Sequence, residues 1–274
     1  MIKRILNIIN DIGREIIQIA ILILCICLVC KIDGMSIIMR VFKEQPLDFS
    51  NITYYALANT SNIVIGFFLA GAVLLYFRKL NREAMLNRGN CYHQYYYWWY
   101  WICAKILGYK ECCLVLVPIP MQYKLLIRDT FDLCNIGNIE YPEKSFDVTV
   151  DKYNFKPEEG NNEINLILTD TYPIMLDQIP IDKRAIPTLE IKQERIGDYT
   201  RVYNRDFVDI INNDVRALPD MTTVNIFATT NPKHNYEIIQ GVFKQANRGN
   251  IKSLYVYHQS KDGVREFYKR TKIY

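Results

Sequence analysis

The sequence predicts an α/β protein carried on two N-terminal transmembrane helices, with residues 1–83 forming the membrane region and 84–274 a cytosolic domain. Three observations predict it. Two long uncharged apolar runs lie before residue 78. Lys and Arg flank their outer ends. Beyond residue 110, short apolar strand-like runs alternate with helix-like stretches, the pattern of an α/β domain with a partly parallel sheet.

The first run is residues 16–30, IIQIAILILCICLVC. It is slightly short for a hydrocarbon core of about 30 Å. Arg14, Glu15 and Lys31 can snorkel, and Ile37 and Ile38 extend the apolar stretch. The second run, 49–77, carries no charge and ends in GFFLAGAVLLYF, long enough to span with tilt. No small-residue cleavage site follows Cys30, which argues against a signal peptide. Lys3, Arg4 and Arg14 precede the first span, and Arg78, Lys79, Arg82 and Arg88 follow the second. Lys31, Arg40 and Lys43 in the intervening loop are offset by Asp33, Glu44 and Asp48. Both termini are therefore expected in the cytoplasm. Gly66 and Gly71, with Ala70 and Ala72, form a small-residue face suited to helix association.

A charged, helix-prone connector is expected over 78–88, and YHQYYYWWYW follows at 92–101. These rings suit a membrane-interface belt, a packed core, a dimer interface or a stacking platform for a flat ligand. Residues 112–118 (CCLVLVP) read as a buried strand, and 123–134 as a helix. Strands are expected at 146–150, 162–168, 200–203, 222–227 and 254–257, with a turn over 157–162. Helices are expected at 206–215 and 235–246; in the latter Ile238, Ile239, Val242 and Phe243 make an apolar stripe.

A net charge of +4 with no basic block gives no case for a nucleic-acid partner. The eight cysteines all fall at or before Cys134, a distribution unlike a disulfide-stapled secreted domain and compatible with a reducing cytoplasm. Cys27 and Cys30 have redox or zinc spacing but lie in an apolar helix without a second ligand pair, so they read as packing; Cys112 and Cys113 read as core. The sequence carries no phosphate loop, dinucleotide fingerprint, HExxH or nucleophile elbow. His93, His234 and His258 stand apart, and Asp170, Asp177 and Asp182 read as loop carboxylates without a visible partner. No catalytic residue, metal site or cofactor is expected.

Three stretches in order resemble the STING (stimulator of interferon genes) family of cyclic-dinucleotide receptors. They are the aromatic segment 95–101 leading into LVLVP at 114–118, RVYNRDF at 201–207 after an IGD turn at 196–198, and FATT at 227–230. The resemblance spans nearly the whole cytosolic domain. It implies a STING-like fold in which Arg201 contacts ligand phosphates from a lid. Tyr203, or a ring from Tyr95 and Tyr96, would stack on a base, and Thr229 and Thr230 would hydrogen-bond base or ribose. Arg forks and π-faces suit such a ligand, and a two-fold dimer would match its pseudo-symmetry. The alternatives are a surface salt bridge for Arg201, β-propensity for Tyr203 and a helix N-cap for Thr230.

The two-span plan departs from the four membrane helices of animal STING and is similar to a bacterial, transmembrane-fused member. The resemblance implies a two-pass protein of the bacterial inner membrane acting in antiphage defence. Its ligand would be a cyclic dinucleotide, cyclic di-GMP by family, made by a cyclase encoded nearby. Binding would favour a homodimer, then a higher oligomer or filament that disturbs the membrane. The rival readings are a membrane-tethered enzyme and a scaffold or secretion-complex subunit without a small-molecule ligand.

Overall fold

The computed structural model describes residues 2–32, 52–89, 91–137, 139–155, 163–194, 201–244, 250–260 and 263–274. The expected turns at 157–162 and 196–198 and the loop between the membrane runs lie outside the described residues. Two compact units divide the chain. The first comprises Met1–Cys91 with Trp98–Glu111, the second Tyr92–Tyr97 with Cys112–Tyr274.

In the membrane unit, α1 (Ile2–Ile32) and α2 (Ile52–Asn81) pack against each other. Each contains a segment long and apolar enough to cross a bilayer, Asp11–Val29 and Asn62–Asn81. Large apolar side chains such as Phe67, Phe68 and Leu75 point outward, as a lipid-facing surface requires. Gly66 explains the close approach of the pair: a Cβ there would lie 3.0 Å from the Ile26 Cα. Gly71 meets nothing within 4 Å, so only part of the small-residue face is used within the chain. Gly66→Leu should force the helices apart and cost about 1–3 kcal/mol of overpacking. A lowered melting temperature in detergent for Gly66→Leu but not Gly71→Leu is the expected result.

The polar foot of this hairpin is tightly bonded. Arg14 Nη2 and Gln18 Nε2 donate to Asn81 Oδ1 at 2.8 and 3.0 Å. Asn81 Nδ2 donates to Gln18 Oε1 and to the Leu107 carbonyl, each at 2.9 Å. The Arg78 guanidinium reaches the Lys105 and Ile106 carbonyls, and the Tyr109 hydroxyl donates to Glu15 Oε1 at 2.5 Å. Asn81 is fully buried and closes the helix, so the connector expected to run helically to residue 88 turns instead. The chain passes through the two-residue strand β1 (Met85–Leu86) and a left-handed Asn87 at φ 62°. Helix α3 (Tyr97–Trp101) follows, continued by a π-helical turn over Ile102–Ile106.

In the sheet unit, β2 (Glu111–Cys113) lies beside β3 (Leu133–Asn135). The apolar run 112–118 does not remain extended, because Leu116 adopts φ 60° in a turn and Leu114 N–H is taken by the Asn135 carbonyl. Helix α4 (Ile119–Ile127) begins after Pro118 and ends before a left-handed Asp129. The helix expected over 123–134 therefore starts and stops earlier.

The main sheet has the order β4-β6-β5-β7-β8-β9. Its strands are β4 (Val148–Tyr153), β5 (Glu163–Thr169), β6 (Thr188–Gln193), β7 (Thr222–Ala228), β8 (Ile251–Gln259) and β9 (Phe267–Lys272). The four central strands are parallel, while β4 and β9 pair antiparallel at the two edges. β5 and β7 are almost wholly buried, as mainly apolar strands covered on both faces are, and Asn225 Nδ2 donates to Glu163 Oε1 and Asn165 Oδ1 between them. The cross-registered Ile167 and Phe227 join Tyr257 and Phe267 in a core closed by Ile174 and Ile179 from the β5–β6 connection. Helix α5 (Arg205–Arg216), capped by the Asn204 side chain, packs against β6 and α6. Helix α6 (Pro232–Ile238), extended by a π-helical turn Ile239–Phe243, packs against α4.

This order contains a topological switch. From β5 the chain adds β6 on one side, then crosses back to add β7 on the other. In open α/β sheets, ligands bind outside the carboxyl ends of the strands at such a point. Here those ends are Thr169–Asp170 and Ala228–Thr230.

Candidate functional site

Both strand ends are tied together by their own side chains. The Asp170 N–H donates to Thr229 Oγ1 at 3.2 Å, and that hydroxyl donates to the Tyr172 carbonyl at 2.9 Å. Thr171 Oγ1 donates to the Thr229 carbonyl at 2.5 Å. Thr230 Oγ1 donates to Asn235 Oδ1, and Asn235 Nδ2 continues to Gln122 Oε1 on α4 at 2.9 Å.

Behind them lies a polar hub. The Asp170 side chain is fully buried, and its Oδ2 accepts from the Asn231 backbone N–H, from Asn231 Nδ2 and from His234 Nδ1 at 3.0, 3.0 and 2.7 Å. Nδ2 of Asn231 also donates to the Val202 carbonyl at 2.9 Å. The Asn204 backbone N–H donates to His234 Nε2 at 2.8 Å. A ring nitrogen that accepts from an N–H carries no proton, so His234 is the neutral Nδ1–H tautomer. Both ring nitrogens are committed within the fold, and the pair is buried. Its role is to hold residues 202–204 at the strand ends.

That hub places several of the residues singled out from the sequence. Arg201 is exposed and immediately precedes the anchored Val202. The Tyr141 hydroxyl is buried without a hydrogen-bond partner. Burial pushes its pKa up, and the nearby Arg201 charge partly offsets that rise. Tyr203 is held by backbone bonds to Pro142 and Lys144, its ring 5.7 Å from His234 and 5.1 Å from Lys233 Nζ. Thr229 and Thr230 are buried with their hydroxyls committed inside the fold. Thr230 is not the N-cap of α6; Asn231 is, accepting from the Lys233 and His234 N–H groups at 2.9 and 3.0 Å.

The aromatic segment divides. Tyr96 is 73% exposed, whereas Tyr95 is half-buried with its ring 6.2 Å from His93. Tyr97 is occupied: its hydroxyl meets Thr130 at 3.2 Å and its ring lies beneath Lys124 and Arg128. Tyr92 is exposed, and its phenol is pushed up by partial desolvation with smaller contributions from Tyr172 and Tyr268. Tyr172 donates to Gln259 Oε1 at 2.6 Å, and the Arg265 guanidinium lies 4.8 Å from its ring centre.

Tyr172 and Arg265 thus add an aromatic–cation pair, and Tyr141 a buried phenol near Arg201, none of which sequence reasoning singled out. Asp170 and His234 correct an expectation: they look isolated in the chain yet are direct partners. Their signal was a carboxylate just beyond one buried strand and a capping Asn just beyond another, which only the strand pairing connects.

Two apolar helices ahead of a parallel-centred α/β unit define a two-pass, membrane-anchored α/β protein. A family model described as the SMODS- and Ubiquitin system-associated 2TM effector domain matches residues 1–273, and the chain belongs to that family. No curated protein matches the chain. Among solved structures, it is similar to the Acinetobacter baumannii Cap4 SAVED/CARF-domain containing receptor with the cyclic trinucleotide 2'3'3'-cAAA. The identity is 8% and the TM-score 0.40, over 63% of this chain and 40% of that one. The same receptor with 3'3'3'-cAAA matches at 8% identity and TM-score 0.40, over 79% and 44%. The chain spans less than half the length of these receptors.

Proposed function

We propose that the protein is a non-enzymatic receptor and effector in antiphage signalling. The sheet unit binds a cyclic oligonucleotide outside the carboxyl ends of β5 and β7, and the membrane helices carry out the response. The observation that carries this reading is the placement of exposed Arg201, beside the buried Tyr141 hydroxyl, on a segment pinned next to Thr229 and Thr230 at the topological switch. An Arg fork offers paired donors to a phosphodiester, and Tyr203, Tyr95 or Tyr96 offers a face to a base. Thr229 and Thr230, buried with hydroxyls and carbonyls bonded inside the fold, then shape the strand ends rather than contact the ligand.

Cyclic di-GMP is the first ligand to test, on the STING-like order of motifs, followed by cyclic GMP-AMP and cyclic trinucleotides. The proposal includes a two-pass protein of the bacterial inner membrane with cytoplasmic termini, a homodimer that grows into a higher oligomer or filament, and a cyclase encoded nearby. Membership in an effector family associated with SMODS systems supports the signalling role. Ligand drives assembly only through its difference in affinity for the two states. The full chain in dye-loaded vesicles should therefore leak when saturating ligand is added and stay sealed without it. Vesicles that remain sealed at full occupancy would remove membrane disruption from the account.

A further inference from the structure

The membrane unit contains a cavity of about 450 Å³ at the polar foot of its hairpin, in the size range of small-molecule sites. Asp11, Arg14 and Glu15 of α1 line one side, and Met85, Arg88 and Tyr109 line others. Both signs of charge are present, but they are not equally available. Asp11 Oδ1 accepts the Gly89 N–H at 3.1 Å. Glu15 is 4% exposed; Tyr109 holds its Oε1, and its Oε2 is buried. Arg14 and Arg88 are exposed. Arg14 gives Nη2 to Asn81 and lies over the Tyr109 ring, which leaves a five-donor fork only partly used. Glu15 is closed off and Asp11 is half-buried with one oxygen on the Gly89 N–H, so the most exposed charges at the cavity are the two guanidinium groups.

Position narrows the ligand. Arg14 stands two residues before Ile16, where the uncharged run begins, and it is bonded to Asn81, the last residue of α2. The cavity therefore sits at the polar boundary of both apolar segments, the depth at which lipid phosphates lie.

We propose that this cavity seats the phosphodiester of a membrane phospholipid, gripped by Arg14 and Arg88, with Met85 against the glycerol. The site is independent of the cyclic-oligonucleotide reading. Such a lipid would brace the hairpin foot from outside the chain.

The test is native mass spectrometry of the full chain, delipidated in detergent and titrated with phosphatidylglycerol. The expected result is one lipid retained per chain, with Arg88→Gln and Arg14→Gln each lowering retention about tenfold, the scale of one charge-assisted contact. Arg88 lies outside the Asn81 network, so its variant keeps the test open should Arg14→Gln misfold. Retention unchanged in Arg88→Gln would overturn the proposal. Displacement of the lipid by millimolar inorganic phosphate would overturn the lipid assignment and make the cavity a free-phosphate site.

Discussion

Asp170→Ala should destabilise the sheet unit by about 3–5 kcal/mol, the cost of stripping a buried, multiply bonded carboxylate from its donors. Three donors converge on Asp170 Oδ2, and none gains another acceptor when it is removed. The Asn231 N–H, one of the two Asn231 amide protons and His234 Nδ1–H would be left in a site closed to water, the other amide proton staying on the Val202 carbonyl. Asp170→Asn keeps an acceptor oxygen but adds an N–H₂ among donors, so it should recover only part of the loss. The effect is also local in a way that hydrogen exchange reads. Protection of the Asn204 amide depends on the orientation of His234, so that amide should lose protection early in either variant. A loss below about 0.5 kcal/mol for Asp170→Ala, the range of ordinary surface changes, would contradict the hub.

Arg201→Ala should weaken cyclic-oligonucleotide binding by roughly 10- to 150-fold, the range for 1.5–3 kcal/mol of charged hydrogen bonding. It should leave the melting temperature nearly unchanged, because Arg201 is exposed and the backbone around it is pinned by Val202 and Asn204. That combination separates it from Asp170, whose loss reduces binding only by loosening the segment that carries Arg201. Thr229→Val and Thr230→Val should behave more like Asp170→Ala, since both hydroxyls are spent inside the fold.

How far the sequence could be read follows the physics of each segment. The two membrane helices were legible from uncharged length alone, and β5, β7 and α5 from mainly apolar or periodic patterns. Strand β6 (TLEIKQ) and strand β9 (FYKRTK) were missed, because charges interrupt their apolar pattern. Strand β9 forms an edge, where Lys and Arg discourage pairing with another chain. Conversely, the apolar run at 112–118 looked like one strand but breaks at a left-handed Leu116, a backbone state no apolar pattern announces. Motif order singled out Arg201, Tyr203, Thr229 and Thr230 as candidates, and these lie on two segments held together by Asn231. It could not find the hub that aligns them. Asp170 and His234 are 64 positions apart, and only the parallel pairing of β5 with β7 brings their loops into contact. The polar foot of the membrane hairpin was hidden for a related reason: Gln18 is a lone amide inside the first apolar run and Asn81 an ordinary helix-end residue until the two helices pair.

The carboxyl edge of the sheet, carrying Arg201, is the proposed cyclic-oligonucleotide site. Calorimetric titration of the full chain in detergent with cyclic di-GMP, cyclic GMP-AMP and a cyclic triadenylate, wild type beside Arg201→Ala, tests it most directly. Saturable binding of at least one ligand, weakened by Arg201→Ala without a fall in melting temperature, is the predicted result. Binding that Arg201→Ala leaves untouched would move the site elsewhere, and a blank across the panel would contradict the receptor reading.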